Sequence, residues 1–386
     1  MWFGKGNSTR SIAFDCGTSG VRASLFSYAK KDVLTKPEVS EVIRAPFLST
    51  AYIDAHLLKQ QTRECIGHIA KKISSSFRPQ ELIIGLSSPF YISKTIRFAQ
   101  QRKAAKLPIT PQEYEGLLAQ AQDTFRKEAE KRISGSEVVL FTVLPLKTHV
   151  NGYQVETPVD IPGKVIEVSF HFEATTRGVF DGFREFFAHQ WGHIPVHITS
   201  VSLANFYALR TLYGEDEGFL VVDIGGEVSD ISLIVQGVLE RVTTLPLGHH
   251  MFVREVAALR GMSYTDALFV TDRYAESALE AEKEKLLQPL IAEFENNWRK
   301  KLLTVLTSYA EQHEMPPRIL LVGRVLPFHK GLFSEDAIRS LMLGKNITVE
   351  LVSADNLARH FVKHSFQGPS DFGLASLTLL GARTVL

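Results

Sequence analysis

The sequence predicts an α/β protein of two similar lobes, with a small α+β unit inserted into the first. Three observations predict it. A strand–turn–strand opening recurs in the second half of the chain, helical segments separate the two copies, and a stretch between them holds one helix flanked by strands. At 386 residues the chain has room for two to three domains of roughly 150 residues. Lys+Arg number 43 and Asp+Glu 42, a net charge of +1, so no overall field draws the chain onto nucleic acid or anionic lipid. With 45% hydrophobic and 22% charged residues, it has the balance of a core-forming chain. Cys16 and Cys65 make neither a disulfide framework nor a zinc spacing, which fits a reducing compartment. The start lacks an apolar h-region and no stretch reaches the roughly 18 apolar residues of a spanning helix. A soluble cytoplasmic protein is expected, and the closing SLTLLGARTVL carries no basic amphipathic helix that would anchor it directly to a membrane.

Taken in order, SIAFDCGTSGVRASLFSY reads as a hairpin, two β-rich runs about Gly17-Thr18-Ser19-Gly20. Apolar residues at helical spacing predict a helix over about 54–76, and ELIIGLS is a short buried strand. The basic run from Lys94 to Lys106 reads as a solvated or loop face. Thr110-Pro111 is a good N-cap and first position for a helix reaching about 133. VVLFTVL and KVIEVSFHF follow as strands. In the second, Ile166, Val168, Phe170 and Phe172 alternate with Glu167, Ser169 and His171, the pattern of a strand with one wet face. Helices are expected over about 176–190 and 203–212, with the strand VHITSVS between them.

The second half repeats the opening. GFLVVDIGGEVSDISLIVQGVLERVTTLPLG gives strand, Gly-bearing turn, strand, turn and strand. A long helical stretch over about 264–314 contains Pro289 and is expected to break there. The strands RILLVG and ITVELV and the helix DFGLASLTLLGA close the chain. The expected division is 10–87 and 175–213 for the first lobe, 88–174 for the insert and 214–386 for the second lobe, with a helical part over about 255–318.

Each copy of the hairpin carries an Asp at the end of an apolar strand, two residues before a Gly: Asp15 before Gly17, and Asp223 before Gly225. Backbone N–H groups of such turns can surround a phosphate, because glycine lets the chain approach closely. Two such turns facing one another would clasp a polyphosphate from both sides. Asp15 and Asp223 would suit a water-shelled Mg²⁺, which takes one or two carboxylates. The alternative is that each Asp caps its own turn. Other features read more plainly. Gly192 and Pro195 break any helix that would align His189, His193 and His197 for zinc, His249-His250 is a turn or cap, and Cys16 is a small buried hydrophobe.

These motifs resemble those of the actin-like ATPase superfamily, whose two-lobed core is ribonuclease H-like, and within it the FtsA and PilM types. IAFDCGTSGVRASLF resembles the first phosphate motif, VVDIGGEVSDISLI the second, ILLVGRVLPFHKGL the adenosine motif and DFGLASLTLLGA the helix linking the lobes. LPITPQEYEGLLAQAQ and the Tyr-x-Val, Pro-Gly and alternating-strand order after it resemble the FtsA-type insert. The resemblance implies ATP and Mg²⁺, with Asp15 and Asp223 as the catalytic and metal-binding pair. Gly17, Thr18, Ser19, Gly20, Gly225, Gly226, Glu227 and Ser229 would surround the phosphates, and Gly323 and Arg324 the adenosine. It implies at most a weak ATPase, with ATP as cement between the lobes.

Departures from the family pattern bear on activity. Gly20 stands where the family carries Lys, Arg22 lies two residues on, and Glu227, Val228 and Arg324 replace residues of the second and third motifs. A carboxylate 4 Å from a phosphate charge costs about 4 kcal/mol at an effective dielectric near 20. Arg324 would stack on an adenine ring or fill its pocket. The resemblance implies a scaffold for cell division that self-associates into filaments and docks a tubulin-like partner at the inner face of the membrane. The alternatives are a pilus-assembly scaffold holding the cytoplasmic tail of a membrane protein, an interaction module with a degenerate pocket, and a small-molecule kinase whose catalytic Asp the sequence does not assign.

Overall fold

The computed structural model describes residues 8–29, 36–47, 55–133, 135–334, 336–341 and 346–383. The first lobe opens with β1 (Ser8–Gly17), β2 (Gly20–Ala29), β3 (Glu38–Pro46), α1 (Ala55–Lys72) and β4 (Glu81–Leu86). The insert follows as β5 (Ile92–Gln101), α2 (Pro111–Arg132), β6 (Val138–Val150), β7 (Tyr153–Val155) and β8 (Val165–Thr176). The chain returns through α3 (Arg177–Trp191), β9 (Val196–Ser200) and α4 (Val201–Tyr213). The second lobe comprises β10 (Phe219–Ile224), β11 (Ser229–Val235), β12 (Val238–Leu245), α5 (His249–Arg260), α6 (Tyr264–Ala275), α7 (Ala281–Ala310), β13 (Arg318–Gly323), α8 (Phe328–Gly331), α9 (Asp336–Leu341), β14 (Thr348–Leu351) and α10 (Phe372–Ala382).

The sheets show the duplication directly. The first runs β3-β2-β1-β4-β9 and the second β12-β11-β10-β13-β14. In each, the first three strands pair antiparallel and the last two join in parallel. β1 and β10 therefore hold the same central place, and their C-terminal ends carry the two Asp-x-Gly turns. Between the sheets run α4 and α10, which pack on each other and on strands of both lobes. Every residue of α10 but Gly373 is buried, as its largely apolar sequence requires. This is the linking helix expected from DFGLASLTLLGA.

The insert is a third sheet, β5-β8-β6-β7, with α2 against it. Thr110 and Glu113 form a capping box that starts α2. Four local expectations need correction. The basic run begins as a strand: β5 holds Lys94 and Arg97, paired residue for residue with β8. The second face of β8 is wet at Glu167 only. His171 and Glu173 are buried, and Glu173 accepts the backbone N–H of Ser200 at 3.0 Å, because the end of β8 runs in under the first lobe. The helical stretch breaks at 276–280, between α6 and α7, and Pro289 sits inside a continuous α7. Leu287, Leu290, Ile291, Phe294 and Trp298 bury one face across that proline, so packing outweighs the missing N–H. His249 and His250 begin α5 and are buried. The expected helix start at residue 54 and the chain end at 384–386 lie outside the described residues.

Candidate functional site: a sealed cleft between the lobes

The two Asp-x-Gly turns meet. Asp15, Gly17, Thr18, Ser19, Asp223, Gly225, Gly323 and Arg324 line one cleft between the lobes, together with Arg22, Ser87, Asp230 and Gly373. Sequence therefore placed the turns on a shared gap, although Gly20, Gly226, Glu227 and Ser229 do not line it.

The hairpin registers decide what each Asp faces. Asp15 stands directly opposite Arg22 in the β1–β2 pair, and the guanidinium bonds its carboxylate at 2.7 Å. Burial still raises the Asp15 pKa, with Arg22 opposing and Asp371 adding to the rise. Asp223 stands opposite Asp230 in the β10–β11 pair. Two like charges directly across a ladder are unfavourable. Burial, then Asp230, then Asp15 push Asp223 up to about 7. Asn205 on α4 donates to Asp223 at 3.1 Å, and Thr244 donates to Asp230 at 2.6 Å. Asp371, which precedes α10, accepts from Arg44 and from the Gln367 backbone. Asp230 is the final Asp of the second motif and was readable there, and Asp371 opens the quoted linking-helix motif. Asn205 had no motif to mark it.

The N–H donors of the second turn are already used. The N–H groups of Gly226 and Glu227 both donate to the Thr18 hydroxyl oxygen at 3.0 Å, so a side chain of the first turn occupies the donors of the second. Gly225 N–H closes its own turn on the Val228 carbonyl at 3.0 Å. From behind, the His249 and His250 N–H groups donate to the carbonyls of Gly225 and Gly226, pinning the turn to the start of α5. Contact is so close that a Cβ on Gly226 would overlap the Thr18 carbonyl.

The expected repulsion by Glu227 requires correction. Its carboxylate turns away from the cleft and pairs with both terminal nitrogens of Arg254 on α5, at 2.8 and 2.7 Å. Arg324 lines the cleft and bonds Asp272 at 3.2 Å. Gly323 takes φ +83° and lies against β10, where a Cβ would overlap the Ile224 carbonyl. His249 and His250 are neutral: burial holds the first well below its ordinary range and the second at about 3. No group of three or more His, Cys, Asp or Glu that could hold a metal occurs among the described residues.

The gap measures about 40 Å³. Small-molecule sites run from about 300 Å³ upward. Asp15 Oδ1 and Asn205 Oδ1 are buried without hydrogen-bond partners, which suits a water or a small cation at most. A nucleoside triphosphate does not fit between these turns, and Arg22 holds the charge of Asp15 that a Mg²⁺ ion would otherwise balance.

Comparison with solved structures fits this duplicated geometry. A chain of a PilM–PilN type IV pilus biogenesis complex superposes with a TM-score of 0.64 at 21% identity, over 96% of this chain and 98% of that one. The chain has the actin-like ATPase fold. Similarity at a lower level extends to a protein of actin-like ATPase fold and unknown function from Bacteroides thetaiotaomicron, at 10% identity, 96% coverage of each chain and a TM-score of 0.45. It extends also to MreB5 of Spiroplasma citri bound to AMPPNP, at 11% identity, 96% coverage of each chain and a TM-score of 0.46. No family model and no curated protein matches the sequence. In the actin-like fold of this chain, β1 and β10 present the paired turns, and the cleft between them is the one sealed by Thr18.

Proposed function

We propose that this chain is a pilus-type assembly scaffold that docks the cytoplasmic tail of a membrane protein, and that its own side chains hold the lobes together in place of ATP and Mg²⁺. The observation that carries the reading is the Thr18 hydroxyl accepting both amides of the second turn. A ligand that binds only the closed form stabilises it by mass action. Here an internal hydroxyl fills that role, and the Arg22–Asp15 pair neutralises the carboxylate beside it.

The likeness to a chain of a PilM–PilN complex, over nearly the whole length of both, favours the pilus reading above the division reading with its filaments and tubulin-like partner. No helix among the described residues is long and apolar enough to cross a membrane. In this reading the partner's tail makes the membrane link, at its cytoplasmic face. The test is a titration with a synthetic peptide of the cytoplasmic tail of a pilus-assembly membrane protein, without nucleotide and again with millimolar Mg-ATP. Saturable binding of equal affinity in both is expected. Binding that needs ATP would overturn the nucleotide-free scaffold, and no binding in either would overturn the docking role.

A further inference from the structure

A second cleft, far larger than the sealed gap, opens where the insert meets the second lobe. It measures about 720 Å³, the size of a small-ligand or short-peptide site. Two sheet edges border it: β5 is the outermost strand of the insert sheet, and β12 is the outermost strand of the second lobe. Thr95 bonds the Leu239 carbonyl across the junction, and the hydroxyls of Ser88 and Thr244 lie 2.9 Å apart. The two edges are thus tied to each other, with the cleft lined from both.

Charge in this cleft is one-sided. Lys94, Arg97, Arg132 and Arg241 line it, and Glu240 is the one carboxylate that does. Arg97 pairs with Glu240, and Lys94 pairs with Glu128 at 2.6 Å. Four cations against those two carboxylates leave a surplus of two, carried by Arg132 and Arg241, neither of which has a carboxylate partner among the described residues. Arg241 is held in place over the Tyr309 ring, 5.8 Å from its centroid. His313, also on the wall, is lowered from its ordinary pKa by burial, with Arg97 and Arg241 adding to the effect and Glu240 opposing it. The whole chain carries only +1, so the surplus is local.

We propose that this cleft docks an acidic, extended segment of a partner protein. Guanidinium groups take carboxylates in a bidentate fork, and clusters of them recognise acidic motifs. A sheet edge offers backbone donors and acceptors to an extended chain. Arg132 and Arg241 take the side-chain carboxylates, and the segment's backbone lies along the β5 or β12 edge. The inference is independent of the sealed cleft, which none of these four cations lines.

The test is fluorescence anisotropy with a labelled peptide of alternating valine and glutamate, beside its valine–glutamine counterpart and inorganic tripolyphosphate. The acidic peptide is expected to bind, at least tenfold more weakly to the Arg132→Gln/Arg241→Gln variant, while the glutamine peptide binds neither. Equal binding to wild type and variant, or of both peptides, would overturn the assignment. Displacement of the acidic peptide by tripolyphosphate at equal or lower concentration would also overturn it, showing a site for small anions. Arg132 is exposed, so Arg132→Gln alone keeps the comparison available should the double variant fail to fold.

Discussion

Gly226→Ala is expected to lower the thermal unfolding midpoint by roughly 2–3 °C, measured by circular dichroism at neutral pH. The added Cβ would overlap the carbonyl carbon and oxygen of Thr18 from behind one face, and the His250 ring from another. Two of those are backbone atoms in a tight turn and cannot rotate away. Overpacking of this kind costs about 1–3 kcal/mol, and at about 2.1 cal/mol/K of unfolding entropy per residue each kcal/mol moves the midpoint of a chain of 386 residues by about 1 °C. Gly178→Ala is the control. Nothing lies within 4 Å of its added Cβ, and it sits in the first turn of α3, where alanine is the better helix former. If Gly226→Ala melts with Gly178→Ala, the turns of the two lobes do not touch as described.

Asp223→Asn is expected to stabilise the protein at pH 8 and to have little effect at pH 4. Burial and the neighbouring carboxylates raise Asp223 from 3.8 to about 7 in the folded protein. The folded state therefore holds the proton more tightly than the unfolded chain does. Stability from this site is fully present below the unfolded pKa and is lost as the pH rises through about 7. Above that the native protein carries a buried carboxylate opposite Asp230, and asparagine removes the charge while its side-chain oxygen still accepts from Asn205. A rise of about three pKa units sets an upper limit on the order of 4 kcal/mol. Chemical denaturation of both proteins at pH 4, 6 and 8 reads it directly. A variant less stable at every pH would mean that the carboxylate is held by a cation, with the stabilisation running the other way.

Much of the fold was legible because the signals are local. An apolar run ending in Asp-x-Gly marks β1 and β10, Thr110-Pro111 announces α2, and DFGLASLTLLGA is apolar enough to suit a helix buried between two sheets. Repetition of the first signal was enough to place Asp15 and Asp223 at one cleft. What escaped was set by contacts distant in sequence. Thr18 reaches an amide 208 residues away, and nothing in GTSG says that its hydroxyl will occupy the turn it faces. Glu227 looked like a charge aimed at phosphate because Arg254, one helix later, carries no mark as its partner. Pro289 signalled a break that the buried face of α7 overrides, and Glu173 at the end of β8 is buried because the first lobe covers it.

Thermal unfolding of the wild-type chain across a titration of Mg-ATP tests the sealed cleft most directly. A nucleotide at one hundred times its Kd would add about 2.7 kcal/mol to the closed form. With Thr18 in the turn and a gap of about 40 Å³, the midpoint is expected to stay constant up to millimolar nucleotide. A rise of several degrees, retained when Arg132 and Arg241 are both glutamine, would place the nucleotide between the turns and contradict the account.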